Sequence, residues 1–599
     1  MRMRFELEET NEYAVARALF VRRCNTWARG DAVEAERLGS VLDARHASAD
    51  GRLNFWSVAG ARRVIVEEVL RTPECDPAGR QRIGDSVRTL IRYQAKHGLL
   101  DPRGDDLARL DAAVADAVAE DPAVGQADAA ADVMDVLARW LGDDGFAERT
   151  FAQLPVELPA DAELAARAAD SEIVRRIRQL TEWVGCDGRK LTARGALRLA
   201  DARELVTLLE TGDEVAGVRT SADLPGLSLL VGWARKARVV RVVKGELRVV
   251  AKARPLLADP LALWNRLFEA YFDLDSELFP GMSPFRGMCE DVSADVLASL
   301  YSLPHPMPVV RLEVPVWLGW QDGVWFEEHA DAEFYRGLCA DALGRMLDVL
   351  VRLGAIERST GVPHPEYSAD LVPGVGPTES EFDDLECADL ITSVGRERRL
   401  VRLTDLGRAA MRRRMLAEGR EAGLIGELAE AEPAALLGVL ADHYHPEAAE
   451  AEIAGWLAGH ENDIEPLLTA IHHCPFRSRS AAMLRVLVEA LPHGDSVLGE
   501  LRHHRLLAPL AITLLIEDES LTHAELGFDE GMRAMTEGFL LLLEVAGPDE
   551  VRAQLGQLPR EEREGLVSTI EAAGHPATVA VADLLEVMTT SAGRRLRMV

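Results

Sequence analysis

Arg235, Lys236, Arg238, Arg241, Lys244, Arg248, Lys252 and Arg254 crowd into a stretch that holds one acid, Glu246. Guanidinium and ammonium groups at this density do one kind of chemistry well. They hold phosphates in register and release the counterions condensed on a nucleic-acid backbone. The elements that must position them are legible. Residues 227–237 predict an apolar helix, and Val239–Val243 and Glu246–Val250 predict two short β-branched strands. Lys244-Gly245 joins them, and glycine accepts the positive φ that a two-residue hairpin turn requires. Strand alternation sets Arg241 on the face opposite Val240 and Val242, so the cations form one face. The competing reading is a solvated hairpin whose cations pair with the protein's own carboxylates.

A second basic cluster holds Arg396, Arg398, Arg399, Arg402, Arg408, Arg412, Arg413 and Arg414. Arg408 and Arg412 lie four apart and share a helix face. The candidate nucleic-acid contacts are therefore Arg235, Lys236, Arg238, Arg241, Lys244, Arg248 and Lys252, joined by Arg396, Arg398, Arg399 and Arg402. For the second cluster, the rival account is docking of the acidic run Glu379, Glu381, Asp383, Asp384 and Glu386, or an ordinary solvated helix.

Other chemistries leave little trace. No GxGxxG follows a strand, and neither GxxxxGK[ST] nor GxSxG occurs; Val372–Pro377 is Gly-containing but lacks the lysine. The reading is therefore non-enzymatic, with no catalytic residue and no cofactor. Histidines concentrate late, at 443, 445, 460, 472, 473, 493, 503, 504 and 523, with Cys474 nearby. They show no HExxH and no clean ligand spacing, so exposed turn histidines are expected and no metal. Trp183, Trp233, Trp264, Trp317, Trp320 and Trp325 read as core anchors.

Against these clusters stands the whole chain. Its 599 residues carry 99 acids and 67 Lys or Arg, a formal net charge of −32. Such a surface repels phosphate at long range, so any nucleic-acid contact must come from a local patch. Seven scattered cysteines with no C-x-x-C indicate neither a disulfide framework nor a zinc ribbon. The amino-terminal residues lack an apolar signal region and no run is apolar enough to span a bilayer, so a cytoplasmic protein with no membrane partner is expected.

Helix-forming Ala, Leu, Arg and Glu dominate, which predicts a mainly α protein. Four domains are expected. Residues 1–150 read as an N-terminal helical domain, with helices at 10–29, 31–45, 57–71, 78–97, 105–119 and 128–142, and residues 151–160 as a linker. Residues 161–280 form a first helix-and-hairpin unit, with a helix over 164–184, Thr192 as an N-cap and Asp201 capping 202–209. Residues 285–420 repeat the plan, with an extended segment at 309–325, a helix at 342–353, strands at 355–358 and 399–403, and an outsized acidic loop between them. Residues 421–599 are helices of roughly 10–18 residues with short breaks, the pattern of a HEAT-like α-solenoid or a helical bundle.

Leu353-Gly354-Ala355-Ile356 with Arg402-Leu403-Thr404-Asp405-Leu406-Gly407-Arg408 resembles the wing and closing helix of MarR- and PadR-like bacterial regulators. The resemblance covers about a fifth of the chain and implies tandem winged helix-turn-helix units. This copy departs from the pattern in its long wing loop. Residues 189–206 through 259–264 are also similar to a segment of uncharacterised actinobacterial proteins, a likeness that adds no function. The resemblance and the cations together imply a DNA-binding transcriptional regulator with double-stranded DNA as partner. The alternative is a protein-interaction scaffold in which the winged helices are structural and 421–599 grips a protein.

Overall fold

A computed structural model describes residues 1–6, 9–30, 32–48, 50–72, 75–119, 153–279, 288–321, 329–369, 396–418, 420 and 422–589. The chain is mainly helical, as its composition predicts. It divides into two compact units. One joins Met1–Val156 to Gly423–Val599, and the other is Glu157–Ala422. The sequence suggests a domain end near 150 and another start near 421. The chain passes between units at Val156/Glu157 and at Ala422/Gly423, and the first and last segments share one core.

In the discontinuous unit, Phe20, Val87, Leu90 and Val114 belong to the same apolar cluster as Leu436, Ile453, Leu484 and Leu510. The expected linker at 151–160 is not free chain where it is described. Val156 pairs in parallel with Leu424, donating its N–H to Gly423 O and accepting from Ile425 N–H. The amino-terminal segment is held by an antiparallel bridge from Arg4 to Arg52. Helices start where caps predict them: Ser57 accepts from Gly60 N–H, and Asp76 from Gly79 N–H. The helix expected at 128–142 lies outside the described residues.

Polar groups thread this core. Arg477 and Glu537, both almost fully buried, form a bidentate pair at 2.8 and 3.0 Å. His575 Nδ1 accepts from Ala577 N–H, which leaves the Nε2 proton facing Glu537 at 2.9 Å. Burial alone would raise the Glu537 carboxyl, but Arg477 and His575 hold it below its ordinary value. Glu544 accepts from the backbone N–H groups of Arg477 and Ser478.

In the continuous unit, an order of helix, strand, helix, helix, strand, strand occurs twice. The first copy has Glu172–Val184, β1 (Arg189–Lys190), Leu199–Leu209, Pro225–Lys236, β2 (Val240–Val243) and β3 (Glu246–Val249). The second has Ser293–Ser299, β4 (Met307–Pro308), Val310–Gln321, His329–Leu353, β5 (Ile356–Gly361) and β6 (Arg398–Leu403), with an extra short helix, Glu366–Ala369, between its last two strands. Both sheets place the last strand in the middle, as β1-β3-β2 and β4-β6-β5, and all pairings are antiparallel. The helices Asp405–Ala417 and Pro260–Tyr271 complete the packing, and Trp264 Nε1 donates to Leu353 O at 2.8 Å.

Four local expectations are corrected. The helix expected over 164–184 is two, Asp161–Asp170 and Glu172–Val184, because Ser171 is extended at φ −64°, ψ 129°. Thr192 caps no helix; it closes a turn by exchanging backbone hydrogen bonds with Ala196 and Gly195. Asp201 lies inside Leu199–Leu209 instead of capping it. Val309 precedes a helix, Val310–Gln321, that tolerates Pro315 because its apolar residues bury Leu312, Val314, Val316 and Trp317; residues 322–325 lie outside the described residues. The acidic loop 379–386 and residues 372–377 are likewise outside them.

Candidate nucleic-acid interface

The first strand pair is built as its sequence predicts. Lys244 and Gly245 both take positive φ, 51° and 75°, which closes a two-residue turn with the right twist for the strands. The turn fixes the register, setting Val240 opposite Val249, Val242 opposite Leu247, and Arg241 directly opposite Arg248. Val240 and Leu247 are buried on the inner side. Gly188, at φ 77°, lets the chain pass beneath: a Cβ there would meet Arg248 Cγ at 2.8 Å and Leu247 O at 2.9 Å.

Arg235, Lys236, Arg238, Arg241, Lys244, Arg248 and Lys252 are all exposed. Arg248 turns back onto Glu246 at 2.7 Å. Among the described residues, the other six make no ion pair. Two unfavourable features sit in this short segment. Like charges face each other across the strands at Arg241 and Arg248. Arg238 and Lys244 hold left-handed backbone at φ 57° and 51°, which disfavours residues bearing a Cβ.

The preceding helix contributes less than expected. Pro225–Lys236 buries Leu227, Leu229, Leu230, Gly232, Trp233 and Ala234. A Cβ on Gly232 would meet Glu277 Cγ at 2.5 Å, so a carboxylate-bearing turn covers that side. Ser228, Arg235 and Lys236 remain exposed, and the cations lie at the end that runs into the strand pair.

The second strand pair has the same topology and the opposite electrostatics. Arg402 lies directly opposite Glu357 and pairs with it. Arg399 reaches Glu313 at 3.7 Å, Arg358 pairs with Asp348, and Arg414 pairs with Glu269 at 3.2 Å and Glu418 at 3.0 Å while lying over Phe272. Arg412 Nε donates to Ala422 O. Arg408 is half-buried, and burial pulls its guanidinium below the ordinary value. Arg398 is half-buried, and Arg396 is exposed at the edge of the described segment. The helix His329–Leu353 exposes Asp341, Arg345, Asp348 and Arg352, spaced along one face with alternating sign. Among the described residues, the structure thus leaves six cations of the first cluster without an ion pair and gives Arg399, Arg402 and Arg414 of the second a carboxylate each.

The late histidines have local roles. His460 stacks on Trp456 at 3.8 Å, and His504 accepts from Leu506 and Leu507 N–H. His443 is buried, and burial together with Arg52, Arg103, Arg479 and Arg4 holds its imidazole well below the ordinary value, as a neutral ring. Among the described residues, His305, His364 and Glu366 are close enough for a metal. The two imidazoles stack at 3.8 Å and 21°, however, so their in-plane lone pairs run side by side and do not converge on one ion. His364 Nδ1 faces Glu366 at 3.3 Å, a plain His–carboxylate pair. Trp183, Trp233, Trp264 and Trp317 are buried, as core anchors should be.

The register that opposes Arg241 to Arg248 follows from the two-residue turn and could be counted from the sequence. The carboxylates that pair with Arg414, Arg399, Arg358 and Arg402 lie at positions 269, 313, 348 and 357, and no local pattern announces them. Among the described residues, no helix is long and apolar enough to cross a membrane. Compared with protein-family models, curated proteins and solved structures, the chain matches none.

Proposed function

We propose that Glu157–Ala422 holds two winged helix-turn-helix units, and that the first binds double-stranded DNA by gripping its phosphates. The supporting observation is that Arg235, Lys236, Arg238, Arg241, Lys244 and Lys252 stand exposed and, among the described residues, without ion pairs, in a chain with ample acid. Such an arrangement is costly in strain and repulsion, and a phosphate backbone would relieve the repulsion. The contact comes from the wing and the basic end of Pro225–Lys236. Because the rest of that helix is buried, few side chains reach base edges and sequence discrimination is weak. The second unit is a structural copy whose cations serve internal ion pairs. The helical pairs of Gly423–Val599 form HEAT-like layers against which the amino-terminal helices pack. A cytoplasmic transcriptional regulator with broad DNA affinity is the role this reading favours.

Binding of a labelled duplex, followed by fluorescence anisotropy at about 50 mM salt, tests it. Affinity should fall steeply with salt and be lost on reversal of Arg241 and Lys244 to glutamate. A duplex that does not bind at low salt, or binds the reversed protein equally well, removes the reading. The scaffold alternative draws support from the compensated second cluster, and it gains if DNA binding fails.

A further inference from the structure

The helix Phe528–Val545 buries two carboxylates beside its apolar core residues Ala534 and Leu540. Its inward face carries Thr536, Glu537 and Glu544, all buried, with Glu537 on Arg477 and Glu544 on the backbone of Arg477 and Ser478. Phe528 and Met535 are exposed, whereas Met532, Phe539 and Leu542, at the same three-and-four spacing, are half-buried and pack against the cluster of Leu540, Val551 and Leu584. Phe528 is 76% exposed and Met535 38%. Gly538 lies among them, and a Cβ there would meet nothing within 4 Å. An exposed phenylalanine and methionine on a helix that also buries two carboxylates depart from the ordinary pattern of a surface helix.

Phe528, Met532, Met535, Phe539 and Leu542 floor a groove of roughly 690 Å³. Ile516, Leu526 and Gln554 line it as well. No Lys or Arg lines it, and the one carboxylate that does, Glu517, is paired with Arg485 at 2.6 Å. Asp518, Glu519 and Asp529 follow the lining residues directly; they are exposed and make no ion pair among the described residues.

We propose that this groove receives an amphipathic helix of a protein partner, with an apolar face and basic flanks. A helix laid in a groove is read through apolar anchors at this spacing, and methionines adapt to the shape of what they hold. The acidic rim selects the sign of the partner's flanks. A second copy of the chain would bring the same unpaired carboxylates against each other, between bodies of net charge −32. The groove lies in the discontinuous unit, and the inference does not rest on DNA binding.

The test uses the full chain and two labelled 18-residue peptides with one leucine face, the other face lysine in one and glutamate in the other. In about 0.15 M salt, the lysine peptide should bind and the glutamate peptide should not. The double substitution Phe528→Ser, Met535→Ser should weaken the lysine peptide by about tenfold or more, a loss of roughly 1.4 kcal/mol. Gly538→Leu, which fills the floor, should weaken it similarly, and provides a second route should the double variant misfold. Unchanged binding in both folded variants would mean that the peptide is held by general acidity, and overturns the proposal. Equal binding of the two peptides overturns the charge assignment. A chain that sediments as a dimer and becomes monomeric on Phe528→Ser, Met535→Ser assigns the groove to a second copy instead.

Discussion

The two strand pairs of Glu157–Ala422 share a topology and differ in how they treat positive charge. In the first, Arg241 faces Arg248, and Arg241 and five neighbouring cations make no ion pair among the described residues. In the second, Arg402 faces Glu357, and Arg399, Arg358 and Arg414 each meet a carboxylate. Position within the fold therefore does not decide charge exposure; the carboxylates within reach do, across the ladder for Arg402 and on neighbouring helices for Arg399, Arg358 and Arg414. An arginine opposite a glutamate is satisfied by the sheet itself. An arginine opposite an arginine must find its counter-charge elsewhere, and a phosphate backbone supplies one.

The comparison breaks most readily on DNA affinity. Arg241→Glu with Lys244→Glu should weaken duplex binding by about tenfold per side chain, the worth of a charge-assisted contact, and lower the salt slope by about 2. Arg399→Glu with Arg402→Glu, measured by the same anisotropy titration, should leave both nearly unchanged. Equal losses would show that the two clusters act alike.

Buried charge in the discontinuous unit gives the next largest effect. His443 is held neutral by burial and by Arg52, Arg103, Arg479 and Arg4, so its folded value lies below the unfolded 6.5. Above pH 6.5 the ring is neutral in both states and contributes no pH dependence. Below it the unfolded chain takes up a proton that the folded one refuses, and stability falls by up to about 1.4 kcal/mol per pH unit. Denaturation monitored between pH 6.5 and 5 should show this slope, and His443→Gln should flatten it.

Backbone strain in the first turn is smaller. Lys244→Gly should raise stability by up to about 1 kcal/mol while removing one unit of salt slope, a separation of fold from function that thermal melts and anisotropy read together. The smallest effect is on the ladder. Glu357→Lys would make the second pair resemble the first and should lower stability by roughly 0.2–1 kcal/mol. Arg241→Thr should recover a similar fraction in the first pair.

Much of this architecture is written locally. Ser57, Asp76 and Thr404 announce helix starts by accepting from the third residue on, and Gly354 at φ 78° announces a stop. The Lys244-Gly245 turn announces the hairpin and its register. Strands of two residues carry no period, so β1 and β4 were not legible. Val310–Gln321 was misread because Pro315 and its tryptophans mimic an extended apolar run. The shared core of the discontinuous unit and the carboxylates around the second cluster depend on residues far apart in sequence, which periodicity cannot bring together. The helix Phe528–Val545 shows the same gap, since only the distant partners of Glu537 and Glu544 tell that these carboxylates lie inside.

The bridge between Val156 and Leu424 has a consequence for biosynthesis. The chain leaves the first unit and returns to it at hydrogen-bonded neighbours, with about 270 residues in between. At roughly 5–20 residues per second, that insert takes on the order of 15–50 s to emerge from the ribosome. During that interval Phe20, Val87 and Leu90 lack the helices that cover them. The inserted unit can fold at once, whereas the unit translated first must finish last. Excising 157–422 and joining the neighbouring ends with a short flexible loop should abolish that wait, leaving a protein that refolds faster than its parent.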